Sequence, residues 1–495
     1  MDESTVAGRF WNGLQVFEID PVHTKLATAV LTFRTGVVDE TWLTAGWTHL
    51  IEHGTLHGLG SRGLQVNGQV DLLLTQLWFQ GAPDDVWRAL RIVCERLSEG
   101  GPSDVTHEVN ILTKERHETG EGTVDGLLLA ERFGARGPGL ILFPEPGLPA
   151  ATSTLLREFA RSRFTADNAQ LVVDRALPDM EPLPLPRGER RTPVLPKKRT
   201  LGRQWFELPP GLEAVVAGGI VRRCWAASAL VDLLNDGLMK MFRDTLGWSY
   251  APEAIYQPIS GTDAHVILVV PIGPDVLGAS ARTVVDWIAR QRGSLASQAA
   301  LDELVAGANL WDRTGVERVE IAVLEASHEL VGLPDRDQRE APSLTLEQIH
   351  DELERLWASL LVGVPIGAEP PDGIAERVEE ATCGLSGKYF PMLGRGLRGH
   401  GWMLDGTRLS AGAKGGPHRV IDLRAVIGLT RHPDGGMLIV AEDGLVTVFE
   451  PRLVRDGVKL GHRIAELVPE AVHVPGPERP AEEVPDAPSL LARWF

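Results

Sequence analysis

Cysteine is scarce in this chain, which contains three in 495 residues. Cys94, Cys224 and Cys383 lie far apart, and no two of them have the Cys-x-x-Cys spacing of a redox or zinc motif. Such usage is typical of buried, reduced thiols and argues against a disulfide framework. We therefore expect a cytoplasmic protein.

The chain also lacks the features that direct a protein to a membrane or to nucleic acid. No apolar run approaches the roughly 20 residues of a transmembrane helix. The first residues, Met1 to Ser4, show neither the basic region nor the apolar core of a signal peptide. Acidic side chains outnumber basic ones by 67 to 49, for a formal net charge of −18. Because nucleic acids and anionic membranes attract basic surfaces, we expect neither as a partner.

The remaining composition is that of a globular protein, with 43% hydrophobic and 23% charged residues. A chain of 495 residues exceeds the size of one core and predicts two to four domains. Residues 1–180 and 211–382 show strand and helix patterns of similar length and order. Between them, residues 181–210 form a proline-rich, basic stretch typical of a stiff, solvated connector. In residues 383–495, Asp-Gly and Gly-Gly pairs punctuate short apolar runs, which favours hairpin-linked strands.

These patterns predict an α+β fold. We expect two similar domains, each a mixed or antiparallel sheet covered on one side by helices. The third, C-terminal domain should be small and β-rich, and it is similar to a pleckstrin-homology-like module.

The chemistry of the chain centres on His49-Leu50-Ile51-Glu52-His53, which reads H-x-x-E-H, the inverted form of a zinc-peptidase motif. On a helix, His49 and His53 are four residues apart and project from one face, which Glu52 shares. Two neutral imidazoles suit Zn²⁺, and a nearby carboxylate can take a proton from zinc-bound water. The motif is half of a metal site, because a third protein ligand must come from elsewhere.

Glu108 and Glu115 supply a candidate for that ligand. They are two turns apart on one face of a predicted helix that begins near Asp104. Together with the H-x-x-E-H motif, this pair resembles the pitrilysin family of zinc peptidases, which includes insulin-degrading enzyme and the mitochondrial processing peptidases. The resemblance implies that Glu115 is the third zinc ligand and that Glu108 orients the site.

The spacing departs from the family between His53 and Asn67, where the family has an additional helix. By raw distance from His53, Glu131 lies nearer the family's position for the third ligand. We favour Glu115, because the missing helix accounts for the difference and only Glu115 has a glutamate two turns upstream. His57, four residues after His53, is another possible ligand, although the adjacent glycines favour a helix end before it.

The resemblance extends over residues 10–375. Asn67-Gly68 is similar to the family's substrate-pairing strand, with Gly68 in place of the usual alanine, and Phe164 to Asn168 is similar to the segment that ends the family's first domain. Arg243 and Tyr250 match a pair that, in the family, binds substrate and stabilises the tetrahedral intermediate.

The resemblance implies a zinc-dependent endopeptidase that cleaves peptides or unfolded segments, such as precursor peptides, with Glu52 as the general base. The alternative is a relative that binds or scaffolds peptides without cleaving them; the intact motif favours the enzyme. A peptidase regulated by the C-terminal domain is a further alternative. Because the chain resembles half of a four-domain shell, we expect a homodimer in which each site receives Arg243 and Tyr250 from the partner.

Overall fold

The computed structural model describes residues 8–20, 25–119, 124–143, 145–175, 182–199, 202–295, 297–310, 316–332, 344–377, 385–394, 397, 399–413, 419–481 and 484–485. Cys383 lies outside these ranges. Cys94 is fully buried, and burial raises the pKa of its thiol.

The first domain is built on a six-stranded sheet. Its strands are β1 (Gly8–Trp11), β2 (Leu14–Glu18), β3 (Ala27–Phe33), β4 (Leu64–Val70), β5 (Thr75–Gly81) and β6 (Ala169–Val173). They are arranged in the order β1-β2-β6-β3-β5-β4, which leaves β4 at one edge. Among the strand pairs described for this sheet, only β2–β6 is parallel. The prediction of a mixed or antiparallel sheet is therefore confirmed, and the sheet is of the mixed type.

Helices cover one face of this sheet. They are α1 (Trp47–Leu56), α2 (Pro83–Glu99), α3 (Val105–Thr119) and α5 (Ser153–Arg163), while α4 (Val124–Phe133) packs elsewhere. Alternate residues of β3, such as Leu31 and Phe33, point into a core shared with Leu50 of α1 and Leu90 of α2. The period of two in the strand and the apolar stripes of the helices thus produce a single buried layer.

The second domain repeats this design. Its strands are β7 (Gln204–Glu207), β8 (Ala214–Arg222), β9 (Glu253–Pro258), β10 (Asp263–Pro271), β11 (Leu361–Val364) and β12 (Ala375–Glu376), in the order β12-β7-β11-β8-β10-β9. Its helices are α6 (Trp225–Leu238), α7 (Leu277–Ser294), α8 (Gln298–Leu310), α9 (Val316–Leu330) and α10 (Leu346–Ala358). A π-helical turn, Met239–Thr245, continues α6.

Each domain contributes one helix that packs on the sheet of the other domain. In α9, Val319 and Val323 pack on Val30 and Val172 of the first sheet, on the face opposite α1. In return, Leu128 of α4 packs with Val216, Ile267 and other residues on the corresponding face of the second sheet. The prediction that helices cover only one side of each sheet was therefore incomplete, because each second face is covered by the other domain.

The stretch between the domains is exposed over much of its described length, but parts of it pack into both domains. Its residues 204–207 form β7 of the second sheet. Upstream of them, Leu183 and Leu185 are buried in the first core, and Arg187 donates to Asp167 over 2.7 Å. In extended chain, side chains two residues apart point to the same side, so Leu183 and Leu185 both pack inward.

The C-terminal domain is β-rich. Its strands are β13 (Lys388–Pro391), β14 (His400–Asp405), β15 (Arg408–Ala413), β16 (Arg419–Asp422), β17 (Gly428–Arg431), β18 (Met437–Val440), β19 (Val446–Phe449) and β20 (His473–Pro475). They form two four-stranded sheets, β13-β14-β15-β16 and β19-β18-β17-β20. Helix α11 (Gly457–Leu467) contributes Leu460 and Ile464 to a core with Trp402 and Phe449. Within the described residues, no helix combines the length and apolarity of a bilayer span.

Candidate active site

Helix α1 begins at Trp47. Gly46 precedes it with a φ of 93°, a left-handed conformation that favours glycine. The carboxylate of Glu40 accepts hydrogen bonds from the backbone N–H groups of Gly46 (2.9 Å) and Thr48 (2.8 Å). A carboxylate from outside the helix therefore caps its N-terminus. Burial raises the pKa of Glu40 to about 7, against the lowering effect of these two backbone hydrogen bonds.

The three polar residues of the motif lie on one face of α1, as predicted from their spacing. The ring centroids of His49 and His53 are 6.4 Å apart. The carboxylate of Glu52 lies 3.9 Å from His49 Nε2, and Glu52 is buried whereas both histidines are partly exposed. Burial raises the pKa of Glu52, the two histidines lower it, and Glu115 raises it further.

Each motif histidine is oriented by a carboxylate. His49 Nδ1 lies 2.8 Å from Glu145 Oε1, and His53 Nδ1 lies 2.7 Å from Glu108 Oε2. A carboxylate on Nδ1 favours the tautomer with its proton there and leaves Nε2 with a lone pair for a metal. Burial lowers the pKa of His49, but the hydrogen bond and charge of Glu145, with smaller effects of Glu52 and Glu115, raise it to about 8. In their neutral form, the two imidazoles are the kind of donor that suits a divalent zinc ion.

The two candidates for the third ligand lie in different places. Helix α3 packs against α1, and the carboxylate of Glu115 is near enough to His49 and Glu52 to raise the pKa of both. Glu131, in α4, forms an ion pair with Arg377 of the second domain. The structure thus brings Glu115, rather than Glu131, to the motif.

Among the described residues, one group of three possible metal ligands has its ligand atoms close together, and it adjoins the H-x-x-E-H motif without including His49 or Glu115. Ligand atoms of His57, His107 and Glu108 lie within 4.8 Å of one another. Both histidines are exposed, whereas Glu108 is 4% exposed and also lies 2.8 Å from His57 Nδ1. Glu108 therefore holds His53 and His57 with its two oxygens. Through this contact His57 helps to hold the Glu108 carboxylate in place. The ring of His57 also offers a nitrogen atom to a metal.

The edge strand β4 runs beside α1 and carries Asn67 and Gly68. A Cβ atom added to Gly68 would lie 2.5 Å from Glu52 Cδ, so glycine leaves room for the carboxylate in its present position. Gly68 also lines a pocket of about 240 Å³ together with Glu40, His49, Glu52 and Glu145. The remaining lining is largely apolar: Val37, Ala45, Gly46, Gln69, Val70, Leu140, Ile141 and Phe143. The pocket therefore lies between the motif helix, at His49 and Glu52, and the edge strand β4.

Arg243 and Tyr250 lie together but do not line this pocket. Both are exposed, and the Arg243 guanidinium carbon is 4.8 Å from the centroid of the Tyr250 ring. Arg243 lies in the π-helical turn and Tyr250 in the loop before β9. The predicted pair is thus adjacent in the second domain and available at the surface.

Sequence reasoning missed Glu40 and Glu145. Both approach α1 from irregular segments. Their distance along the chain from the motif therefore does not indicate that they lie close to it. The only local signal is that Glu145 stands between two prolines, which indicates a rigid turn but not its destination.

No protein-family model matches the chain, and no curated protein matches it in sequence. Solved structures do match its fold. A protease from Helicobacter pylori gives a TM-score of 0.59 at 14% identity, over 72% of this chain and 98% of that chain. An M16 peptidase inactive domain from Pseudomonas fluorescens gives 0.57 at 15% identity, over 76% and 100%. Pitrilysin gives 0.56 at 13% identity, over 72% of this chain and 44% of its own.

Proposed function

We propose that this chain, which has the pitrilysin-like fold of the M16 peptidases, is a zinc-dependent endopeptidase. The observation that carries the proposal is the pair of carboxylate contacts on the Nδ1 atoms of His49 and His53, with Glu52 beside them. His49, His53 and Glu115 would hold the ion. Zinc, when bound, supplies a water of lowered pKa and polarises a carbonyl.

Glu52 handles the proton in this mechanism. Its carboxylate accepts the proton of the attacking water and delivers it to the leaving amine. Burial raises the pKa of Glu52, which brings this carboxyl closer to the range in which it both accepts and returns a proton. Because Gly68 has no Cβ atom, the Glu52 carboxylate has room to face the pocket.

Substrates should be peptides or unfolded segments, including precursor peptides. The edge of β4 offers backbone groups for an added strand beside the motif. Only an extended chain pairs in this way, because a folded substrate already uses its backbone hydrogen bonds. We further propose that the active form is a homodimer. Arg243 and Tyr250 then reach the partner's metal site and stabilise the oxyanion there.

The rival function is peptide binding without cleavage. It is supported by the likeness to an M16 inactive domain, since the same fold serves proteins with and without activity. The two proposals differ in what they predict for the Glu52 carboxylate and for bound zinc.

The test combines metal analysis of the purified protein with cleavage of an unstructured peptide library, with and without a chelator. The endopeptidase proposal predicts stoichiometric zinc and chelator-sensitive cleavage. Glu52→Gln should retain zinc and lose about 10²–10⁴-fold in kcat. The control is Glu95→Gln, an exposed glutamate on α2, which should leave both unchanged. Saturable peptide binding without cleavage would instead support the binding protein.

A further inference from the structure

The C-terminal domain packs on the segment that leads into α1. Trp42 is 1% exposed, and its Nε1 donates a hydrogen bond to Thr430 Oγ1 over 3.0 Å. Gly428 lies against the same indole, since a Cβ atom added there would be 2.6 Å from Trp42 Cγ. The indole in turn meets the ring of Phe143 edge to face, with centroids 5.4 Å apart. Strand β17 therefore contacts the first domain beside its candidate active site.

Further contacts surround this one. The N–H of Ala135 donates to the carbonyl of Gly444 (2.7 Å), and Arg136 donates to the carbonyl of Glu442 (3.0 Å). A shared apolar cluster is fully buried between the domains: Trp42, Ala45, Ala135, Leu140, Val440 and Val474. The interface is thus a packed core with backbone hydrogen bonds rather than a loose contact.

A short series of bonds links this interface to His49. The Glu145 N–H donates to the carbonyl of Phe143 (2.7 Å), and Gly147 donates to the carbonyl of Ala45 (3.1 Å). Trp47 Nε1, at the start of α1, donates to the carbonyl of Gly147 (2.9 Å). Glu145 itself has a φ of 41°, a left-handed conformation that a residue with a side chain keeps only when its surroundings hold it. Its carboxylate then meets His49 Nδ1.

We infer that the C-terminal domain is a positioning module for the metal site: by packing on Trp42 and Phe143 it holds Glu145 against His49. Glu145 is a positioning residue, since it acts through His49. The inference rests on the proposed zinc function, and it assigns the C-terminal domain a role in metal affinity.

A matched pair of wedge variants in the full-length protein tests this role. Gly428→Ala pushes a methyl group against the Trp42 ring. Gly401→Ala, in the other sheet of the same domain, pushes an equal group against the Tyr389 ring, 2.6 Å from its Cζ. Both should lower the temperature of unfolding. Only Gly428→Ala should weaken zinc binding, by about 10-fold or more in chelator competition.

Glu145 variants show whether the effect passes through this residue. Glu145→Ala should weaken zinc binding by about 10–100-fold, and Glu145→Gln, which keeps an acceptor oxygen, by less. In the Glu145→Ala background, Gly428→Ala should cause no further loss, because the two changes remove one interaction. Additive losses, or equal zinc affinities of Gly428→Ala and Gly401→Ala, would overturn the inference.

A readout without metal separates this inference from the proposed function. The ¹⁵N shifts of His49 in zinc-free protein should report a protonated, hydrogen-bonded Nδ1, and Gly428→Ala should change them whereas Gly401→Ala should not. If the wild type binds no zinc, the proposed function fails, and these shifts alone decide the inference. Should Gly428→Ala fail to fold, Thr430→Val removes the acceptor of Trp42 Nε1 at nearly constant volume and should give the same shift change.

Discussion

Glu40 should make the protein less stable as the pH rises through the neutral range. The side chain is 7% exposed, and its two oxygens accept the N–H groups of Gly46 and Thr48. Burial raises the pKa of this carboxyl from 4.5 to about 7, the two hydrogen bonds lower it, and the charge of Glu145 contributes to the increase. Folding therefore changes the proton affinity of Glu40 strongly.

The sign and the size follow from linkage. Between pH 4.5 and about 7, the folded protein keeps the Glu40 proton and the unfolded protein releases it. The contribution of Glu40 to the free energy of unfolding therefore falls as the pH rises through this window and is constant outside it. At about 1.4 kcal/mol per pKa unit, the whole window corresponds to about 3 kcal/mol.

Glu40→Gln isolates this contribution, because glutamine has no proton to lose. Urea unfolding of wild type and variant at pH 5 to pH 8 should show the wild type losing about 2–3 kcal/mol relative to the variant. The exposed Glu95→Gln serves as control and should show no such trend. A wild-type-minus-variant difference that is flat in pH, or that grows with pH, would refute the raised pKa and with it our account of this helix cap.

Other predictions concern the proposed chemistry. Glu115→Gln should weaken zinc binding at least 10-fold in chelator competition, whereas Glu131→Gln should leave it unchanged; loss of zinc from the latter alone would reverse the ligand assignment. Gly68→Ala should lower kcat about 10-fold at unchanged zinc content, because the new methyl group displaces Glu52; a wild-type kcat would contradict this. Mixing inactive Glu52→Gln with inactive Arg243→Ala should restore cleavage if the partner completes each site; no rescue despite demonstrated subunit exchange would refute the shared site.

The local signals in the sequence predicted much of the fold. Pro83 marks the first residue of α2, as the preference of proline for that position suggests. The spacing of His49, Glu52 and His53 placed three polar groups on one helix face, and the resemblance to pitrilysin-like peptidases is confirmed at the level of fold.

Features that depend on distant contacts escaped prediction. Helix α4 was missed because it is buried on two sides: Leu128 faces one cluster, while Leu129 and Phe133 face another. Such burial removes the single apolar stripe by which a helix is recognised. Glu40 and Glu145 were missed for a related reason. Each lies in an irregular segment, and its contact with α1 depends on the path of that segment through the folded protein.

The crossed packing of α4 and α9 has a mechanical consequence. Helix α9 packs on the first sheet and α4 packs on the second. Separation of the two domains would therefore expose apolar surface on both sheets to water at once. The pair should therefore melt as one cooperative unit, and either domain expressed alone should aggregate. A hinge between the two domains is also disfavoured, so in the proposed homodimer a long peptide would enter by relative motion of the two chains. The fraction of separated chains would then depend on protein concentration and on the affinity between copies.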